Sequence, residues 1–549
     1  MPVGIVRDAH TMTPQGHSPT GSRAAVSAGH VEATRAAAVL LRAGGSAVDA
    51  VIGADAVMGV VEPTGAGVAG DLMAVLATRE GVSVLNGSGR SGRGTDAESV
   101  PDNGHGFVPS AGGWAVTVPG AVTAWEDLHW PVCRRCQFGD PLPGAVTAWE
   151  DLHGRFGRLP WPSLFEPAIE AATEGAEVGA TGSRLWEGSR GRLDAAGEAL
   201  YFPNGAAPVA GDVWRNPPLA EVLTQVAADG PDALYRGPLA RAVCEAATAA
   251  GGRMHIDDLA EHRSEWVDPL RAGLGEHELI TAPPPCQGAV TALAAEWVHD
   301  RGLLGATRDD AGAEAAASMV EALDRAFALA LDCLADPAVA EVPGYNEMRA
   351  RMAGAPRRGP MPLGPGTVFT VVFTAEQAVV LTSSVCDRFG SGVTVPEGGF
   401  VLQSRGRGFS TDLSHPNAVA PNKRPYHTIV PTLVLENGQP MLGMGVVGGI
   451  MQPQGQLQIL HRVLGGADLT AAVEAGRFRL IGEGQVTTEA SLEPEWRAAI
   501  GRAGYDLVDT ADVIGGFGGA QAVLSAGDTL TAASDPRRDG ASALIGMTD

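Results

Sequence analysis

Gly366-Thr-Val-Phe-Thr-Val-Val-Phe-Thr374, then Ala375-Glu376, then Gln377-Ala-Val-Val-Leu-Thr-Ser-Ser-Val385, is the stretch around which the rest of the chain can be ordered. Branched and aromatic residues fill both runs, and two residues separate them, so the pattern predicts a β-hairpin. Thr367 opens the first strand directly after Pro365-Gly366. A threonine in a strand is usually there because its branched Cβ suits a pleated surface. Its significance depends on what surrounds it.

Downstream come Phe389-Gly-Ser-Gly392, Asn417-Ala-Val-Ala-Pro-Asn-Lys-Arg-Pro425, Pro431-Thr-Leu-Val434 and Gly448-Gly449. Upstream lie Gly44-Gly-Ser-Ala-Val-Asp-Ala50 and Val60-Val-Glu-Pro63. In this order, from about Ala25 to about Asp535, the set resembles the γ-glutamyltranspeptidase family of self-cleaving N-terminal-nucleophile hydrolases. Gly449-Ile-Met-Gln-Pro-Gln-Gly455 is more similar to the divergent, acylase-like branch of that family. The resemblance implies an α+β fold, a four-layer αββα sandwich; periodicity alone gives only mixed α and β.

Composition narrows the partners. Hydrophobic residues make up 45% of the 549 and charged residues 19%, which supports a folded core. A formal net charge of −24 without a Lys/Arg-rich run argues against nucleic acid and anionic membranes. Met1-Pro-Val-Gly-Ile-Val-Arg-Asp-Ala-His10 lacks the pattern of an export signal, so a cytoplasmic location is expected. The six cysteines then read as mostly free thiols, and Cys133-Arg-Arg-Cys136, with no second ligand pair, reads as chance spacing.

Two helices are expected near the N-terminus. The first runs from Val31 to Ala43 and stops at Gly44-Gly45; the second starts at Ser46, with Asp49 at capping-box spacing, and stops at Glu62-Pro63. Gly65-Ala-Gly-Val-Ala-Gly70 has the letters of a dinucleotide fingerprint, but it follows a helix and leads into Leu72-Met-Ala-Val-Leu-Ala77, so a tight loop is expected. Pro119 to His129 recurs unchanged at Pro143 to His153, which marks residues 119–142 as a duplicated insert on the surface. Asn437-Gly438 predicts a second hairpin turn, between Thr432-Leu-Val-Leu435 and Met441-Leu-Gly-Met444. Helical patterns return at Leu457–Leu464 and Ala471–Arg477.

The chemistry follows from a threonine placed at a new chain end. A hydroxyl is a weak nucleophile until a base takes its proton, and a free α-amino group, with a pKa of about 7.7–8.0, is such a base. The resemblance implies that Thr367 attacks the carbonyl of Gly366, whose missing side chain admits the strained conformation this needs. An N-terminal extension (1–24) and a large chain (25–366) would part from a small chain (367–549), the two staying together as one intertwined unit. Gly448 and Gly449 are expected to offer backbone N–H groups to the oxyanion. Arg90 falls where the family clamps the substrate carboxylate, and a guanidinium fork suits that task. The family's supporting threonine is Ser384 here, and the asparagine two places on is Cys386. Its amine-binding glutamine and aspartate fall at Arg405 and Gly408, and its paired serines at His427-Thr428, where His427 has the ordinary pKa to titrate near neutrality, although a lone histidine is more often a packed or surface residue.

The resemblance implies cleavage of γ-glutamyl or related carboxylate-bearing acyl amides through a threonyl ester, and these exchanges favour, among them, an acyl group that bears a carboxylate but no free amine. The expected partner is a small amide or peptide, with neither cofactor nor metal. The alternative is a relative that has kept the fold as a binding or structural protein.

Overall fold

The structure, a computed structural model, describes residues 24–129, 156–306, 309–357, 359–360, 366–509 and 516–546. The first copy of the repeat, expected in a surface insert, is instead helix Ala121–His129, whose Val122, Trp125 and Leu128 are buried because its apolar side packs into the core; the second copy, the insert beyond His129, and Cys133 and Cys136 lie outside the described residues.

Two antiparallel sheets stack face to face. Seven strands run in the order Ala541–Ile545, Ala24–Ala28, Gly366–Thr374, Ala378–Cys386, Asp71–Thr78, Gly81–Asn86 and Glu265–Val267. Six form the other sheet: Thr529–Ser534, Gly519–Ala526, Gln439–Val447, Thr432–Glu436, His277–Thr281 and Leu270–Leu274. Phe369, Val371 and Phe373 meet Leu433, Leu435 and Val523 between the sheets. Val368 and Val372, on the opposite face, pack with helices Val31–Arg42 and Ala47–Val61. Helices Gly288–His299, Asp309–Cys333 and Met451–Leu464 cover the second sheet. Helix, sheet, sheet, helix is the four-layer sandwich. The strand period of two turns Thr367 toward the inter-sheet side, in step with Phe369.

Local chemistry explains the elements that place this strand. Ser46 Oγ accepts from Asp49 N at 3.1 Å while Ser46 N donates to Asp49 Oδ2 at 2.8 Å, so the capping box forms as its spacing predicts. The helix it starts is buried along its whole length and ends at Glu62. Gly65–Gly70 is indeed a helix-to-strand loop, and its glycines have a steric reason. A Cβ on Gly70 would stand 2.7 Å from the Ser384 carbonyl oxygen, and one on Gly65 3.2 Å from Val368 Cγ1. Asn437 and Gly438 take φ of 50° and 81°, the positive values of the tight hairpin turn.

The spacing of the two sheets depends on glycines that sequence patterning left unmarked. A Cβ on Gly445 would lie 1.8 Å from Phe369 Cδ1, and one on Gly443 would lie 2.6 Å from Phe373 Cε1. The rings fill the room that the missing side chains leave.

Helix Met451–Leu464 carries four buried glutamines. Gln454 donates through Nε2 to Leu480 O at 3.1 Å and accepts from Leu480 N at 2.7 Å; Gln458 does the same with Phe478, at 3.0 Å each. Residues four apart on a helix rise about 6 Å, and alternate residues of a strand about 6.6 Å, so two amides match two backbone sites. Among the described residues no helix is long and apolar enough to cross a membrane.

Gly445→Ala is expected to lower stability by about 1–3 kcal/mol through overpacking against Phe369. A urea unfolding midpoint, with unchanged slope, measures it.

Candidate active site

The hairpin ladder is regular from Ala378↔Phe373 to Ser383↔Val368, and its next pair is Cys386↔Gly366. One extra residue therefore bulges from the second strand, a distortion that re-aims side chains. On its other edge this strand pairs Ser384 with Asp71. Thr367, Ser384 and Asp71 thus stand side by side at one end of three adjacent strands. Beyond the bulge Cys386 takes φ 76°, a left-handed conformation costly for a residue with a Cβ.

The Ser384 hydroxyl is the junction. Its Oγ accepts from Arg405 Nη2 at 2.8 Å and from Cys386 N at 2.9 Å, and it donates to Gly366 O at 2.5 Å. Thr367 Oγ1 lies 3.3 Å away and accepts from Gln452 Nε2 at 3.4 Å. A Cβ on Gly366 would meet the Asp387 carbonyl oxygen at 2.5 Å and that of Cys386 at 2.9 Å. Glycine before Thr367 is needed for space as well as for conformational freedom.

Arg405 is fully buried and held on three sides: Nε donates to Asp71 Oδ2 at 3.0 Å, Nη1 to Thr428 Oγ1 at 2.9 Å, and Nη2 to Ser384. Asp71 is saturated. Its Oδ1 accepts from Gly89 N at 3.0 Å and Gln403 Nε2 at 2.9 Å, and its Oδ2 accepts from Arg405 and, at 3.0 Å, from His427 Nε2. Burial alone would raise this carboxyl, but the His427 hydrogen bond, the Arg405 charge and the Gly89 N–H hold it below the usual range. His427 goes the other way: burial, then the Arg405 charge, lowers it to about 4. Its Nδ1 accepts from Ile429 N at 3.4 Å, which assigns the neutral, Nε2-protonated tautomer. Of the two readings of this histidine the packed one holds, because the ring is fully buried and a charge on it would go unsolvated.

Gly448 and Gly449 end strand Gln439–Val447 with φ of 119° and 60°. Among the described residues neither N–H donates to a backbone carbonyl. They lead into helix Met451–Leu464, whose N-terminal dipole favours negative charge. Gln287 Nε2 joins this turn to the Arg405 cluster, donating to Thr428 O at 2.6 Å and to Gly449 O at 3.0 Å. Arg90 stands apart from these bonds. Its guanidinium, 26% exposed, donates to Asp336 at 2.8 Å, Glu265 at 3.0 Å and the Asn422 carbonyl at 3.2 Å. Gly408 has a carbonyl that accepts from Asn417 Nδ2 at 2.6 Å.

A profile for gamma-glutamyltranspeptidase matches residues 33–133 and 141–545. The chain belongs to the γ-glutamyltranspeptidase family. It is 32% identical over 540 residues to an oxamate amidohydrolase proenzyme of Klebsiella pneumoniae, covering 94% of this chain and 97% of that one. It is 31% identical over 460 residues to the glutathione hydrolase-like YwrD proenzyme of Bacillus subtilis, covering 81% and 82%. A cephalosporin acylase from Bacillus halodurans superposes with a TM-score of 0.82 at 28% identity, over 98% of both chains. The γ-glutamyltranspeptidase-family protein described here is accordingly an enzyme, a self-processing amidohydrolase of the acylase-like kind, and the non-catalytic alternative is not favoured. The gap in the profile, 134–140, falls inside the duplicated insert.

Four side chains of the cluster escaped sequence reading: Asp71, Gln287, Gln403 and Gln452. Asp71 had one local signal, a carboxylate opening an otherwise apolar run. Such a charge is buried only with partners, and none is near it in sequence.

His427 is uncharged when folded but has an ordinary pKa of 6.5 when unfolded, so the unfolded chain binds the extra proton between about pH 6.5 and 4. Stability is complete above that window and lost on descending through it, by about 2–3 kcal/mol from this residue. We expect His427→Gln, which keeps a donor toward Asp71, to lose less than wild type between pH 7 and pH 4.5 in urea titrations.

Proposed function

We propose that Thr367 is the nucleophile, freed by cleavage of the Gly366–Thr367 bond into chains 1–366 and 367–549, and that the enzyme cleaves small amides whose acyl group carries a carboxylate and no free amine. The new α-amino group takes the Thr367 hydroxyl proton, Ser384 orients the oxygen, and the Gly448 and Gly449 N–H groups receive the oxyanion. The acyl group then sits as an ester on Thr367 until water or an amine removes it.

One observation carries the substrate reading. Each carboxylate beside the Ser384–Arg405 junction is already occupied: Asp71 by four donors, and Asp387 by Arg407 Nη1 at 2.5 Å and Ser404 Oγ at 3.2 Å. A substrate ammonium would arrive beside the Arg405 charge with no counter-ion left to meet it, which is costly in a buried place. A carboxylate would meet the opposite situation. A guanidinium has five N–H groups, and the protein uses three of those on Arg405, which leaves two for a ligand. Thr428 and His427 flank Arg405, and Arg90, held by Asp336 and Glu265, would have to exchange one of those partners to meet a substrate carboxylate. The relative named for oxamate hydrolyses, by that name, a small amide bearing a carboxylate, which agrees with this reading. Free thiols at Cys244, Cys286, Cys333 and Cys386 fit a reducing, cytoplasmic location.

Denaturing electrophoresis tests the nucleophile: wild type should split into pieces of two-thirds and one-third, while Thr367→Ala stays whole. A panel of anilides tests the substrate. Glutaryl anilide should exceed γ-glutamyl anilide in kcat/KM by roughly tenfold or more, the equivalent of one unpaired charge contact at about 1.4 kcal/mol; the reverse order would reject the carboxylate reading while leaving Thr367 in place.

A further inference from the structure

The hydrogen bonds around Gly366 O bear on a step that precedes any turnover of external amides. A serine hydroxyl has one hydrogen to give and two lone pairs to fill. Arg405 Nη2 and Cys386 N, at 2.8 and 2.9 Å, fill both lone pairs of Ser384. Its hydrogen must then point away from them, and of the two oxygens within reach Gly366 O at 2.5 Å is far closer than Thr367 Oγ1 at 3.3 Å. The hydroxyl is therefore aimed at the carbonyl of the bond that the preceding section assigns to self-cleavage, and its own oxygen is backed by a positive charge.

We propose that Arg405, anchored by Asp71, is a positioning residue for the chain's own maturation: it turns the Ser384 hydroxyl onto the Gly366 carbonyl, where that hydroxyl stabilises the oxyanion of the self-cleavage step. This rests on Thr367 being the nucleophile. In the step, Thr367 Oγ1 forms a bond to Gly366 C and the carbonyl oxygen becomes an oxyanion hydrogen-bonded by Ser384. The C–N bond then breaks, and the proton from the Thr367 hydroxyl ends on the departing nitrogen, which becomes the α-amine. Water hydrolyses the resulting ester, leaving the Gly366 carboxylate and restoring the Thr367 hydroxyl.

The anchor matters because Arg405 spans Asp71 and Ser384 with different nitrogens of one rigid plane. Fixing Nε on the carboxylate fixes where Nη2 points. Lysine offers a single charged centre and cannot make both contacts in that geometry. Asp71 in turn is kept ionised and immobile by the Gly89, Gln403 and His427 donors.

The experiment follows splitting of freshly synthesised, labelled full-length chain with time on denaturing gels, with mass spectrometry of the new N-terminus. Arg405→Met should slow the split by at least roughly tenfold, since removing one oxyanion donor outright costs about 10²–10³. Arg405→Lys should fall between it and wild type. Arg405→Ala should be slow and partly restored by guanidinium ion at concentrations too low to denature, a response that a purely structural defect would not give. Splitting of Arg405→Met at the wild-type rate would overturn the proposal. If that variant does not fold, judged by its melting curve, Arg405→Ala decides: restoration by guanidinium supports the proposal and none overturns it. Thr367→Ala is the control that separates the two readings. If it also splits, the assignment of nucleophile and bond fails; if it stays whole while Arg405→Met splits normally, only the role of Arg405 fails.

Discussion

A carboxylate taken out of water must be met by donors on every side, and the Asp71 carboxylate meets that condition with four donors drawn from three separate parts of the chain. Satisfying it gathers the Gly89 loop, the Gln403–Arg405 turn and the His427 segment at one end of the first sheet. Arg405 is the only charged member of that set of donors, since His427 is neutral, so one cation balances one anion. Removing either would strand its partner, a change that costs about 3–5 kcal/mol in buried pairs. The orientation of Ser384, and through it the surroundings of Thr367, is inherited from this pair.

The remaining half of the site comes from the opposite sheet. Thr367 and Ser384 stand on the first sheet, whereas Gly448, Gly449 and Gln452 stand at the end of a second-sheet strand and the start of its helix. Reaching 3.4 Å between Gln452 and Thr367 requires the sheets to lie close. Gly443 and Gly445 allow that by receiving the Phe373 and Phe369 rings. Packing two residues away from the nucleophile thereby sets the distance across which the site is assembled.

What was legible in the sequence is what short-range chemistry decides. The capping box at Ser46, the stop at Glu62, the Asn437-Gly438 turn and the hairpin that starts at Gly366 are each written in a few adjacent residues, and each appears as read. The layer order and the position of Thr367 came from family likeness instead, because nothing local distinguishes this threonine from Thr370 or Thr374. The Asp71 cluster was invisible for a physical reason: its side-chain partners lie 332 to 356 positions away, and no periodicity carries information over such distances. The bulge at Ser384 was missed because an extra residue in a strand leaves composition unchanged. Arg405 was located by sequence but not understood. Placed where the family binds a substrate amine, it proved to donate to the Ser384 hydroxyl instead.

The pairing of Gln454 and Gln458 with Leu480 and Phe478 has an implication for how the protein behaves in a crowded solution. Strand Phe478–Gly482 borders a three-stranded sheet, and its outer rim would otherwise present open donors and acceptors to any extended peptide that drifted past. Two side-chain amides occupy that rim as a partner chain would. The enzyme thus blocks one route to fibrous self-association without adding surface charge or a proline.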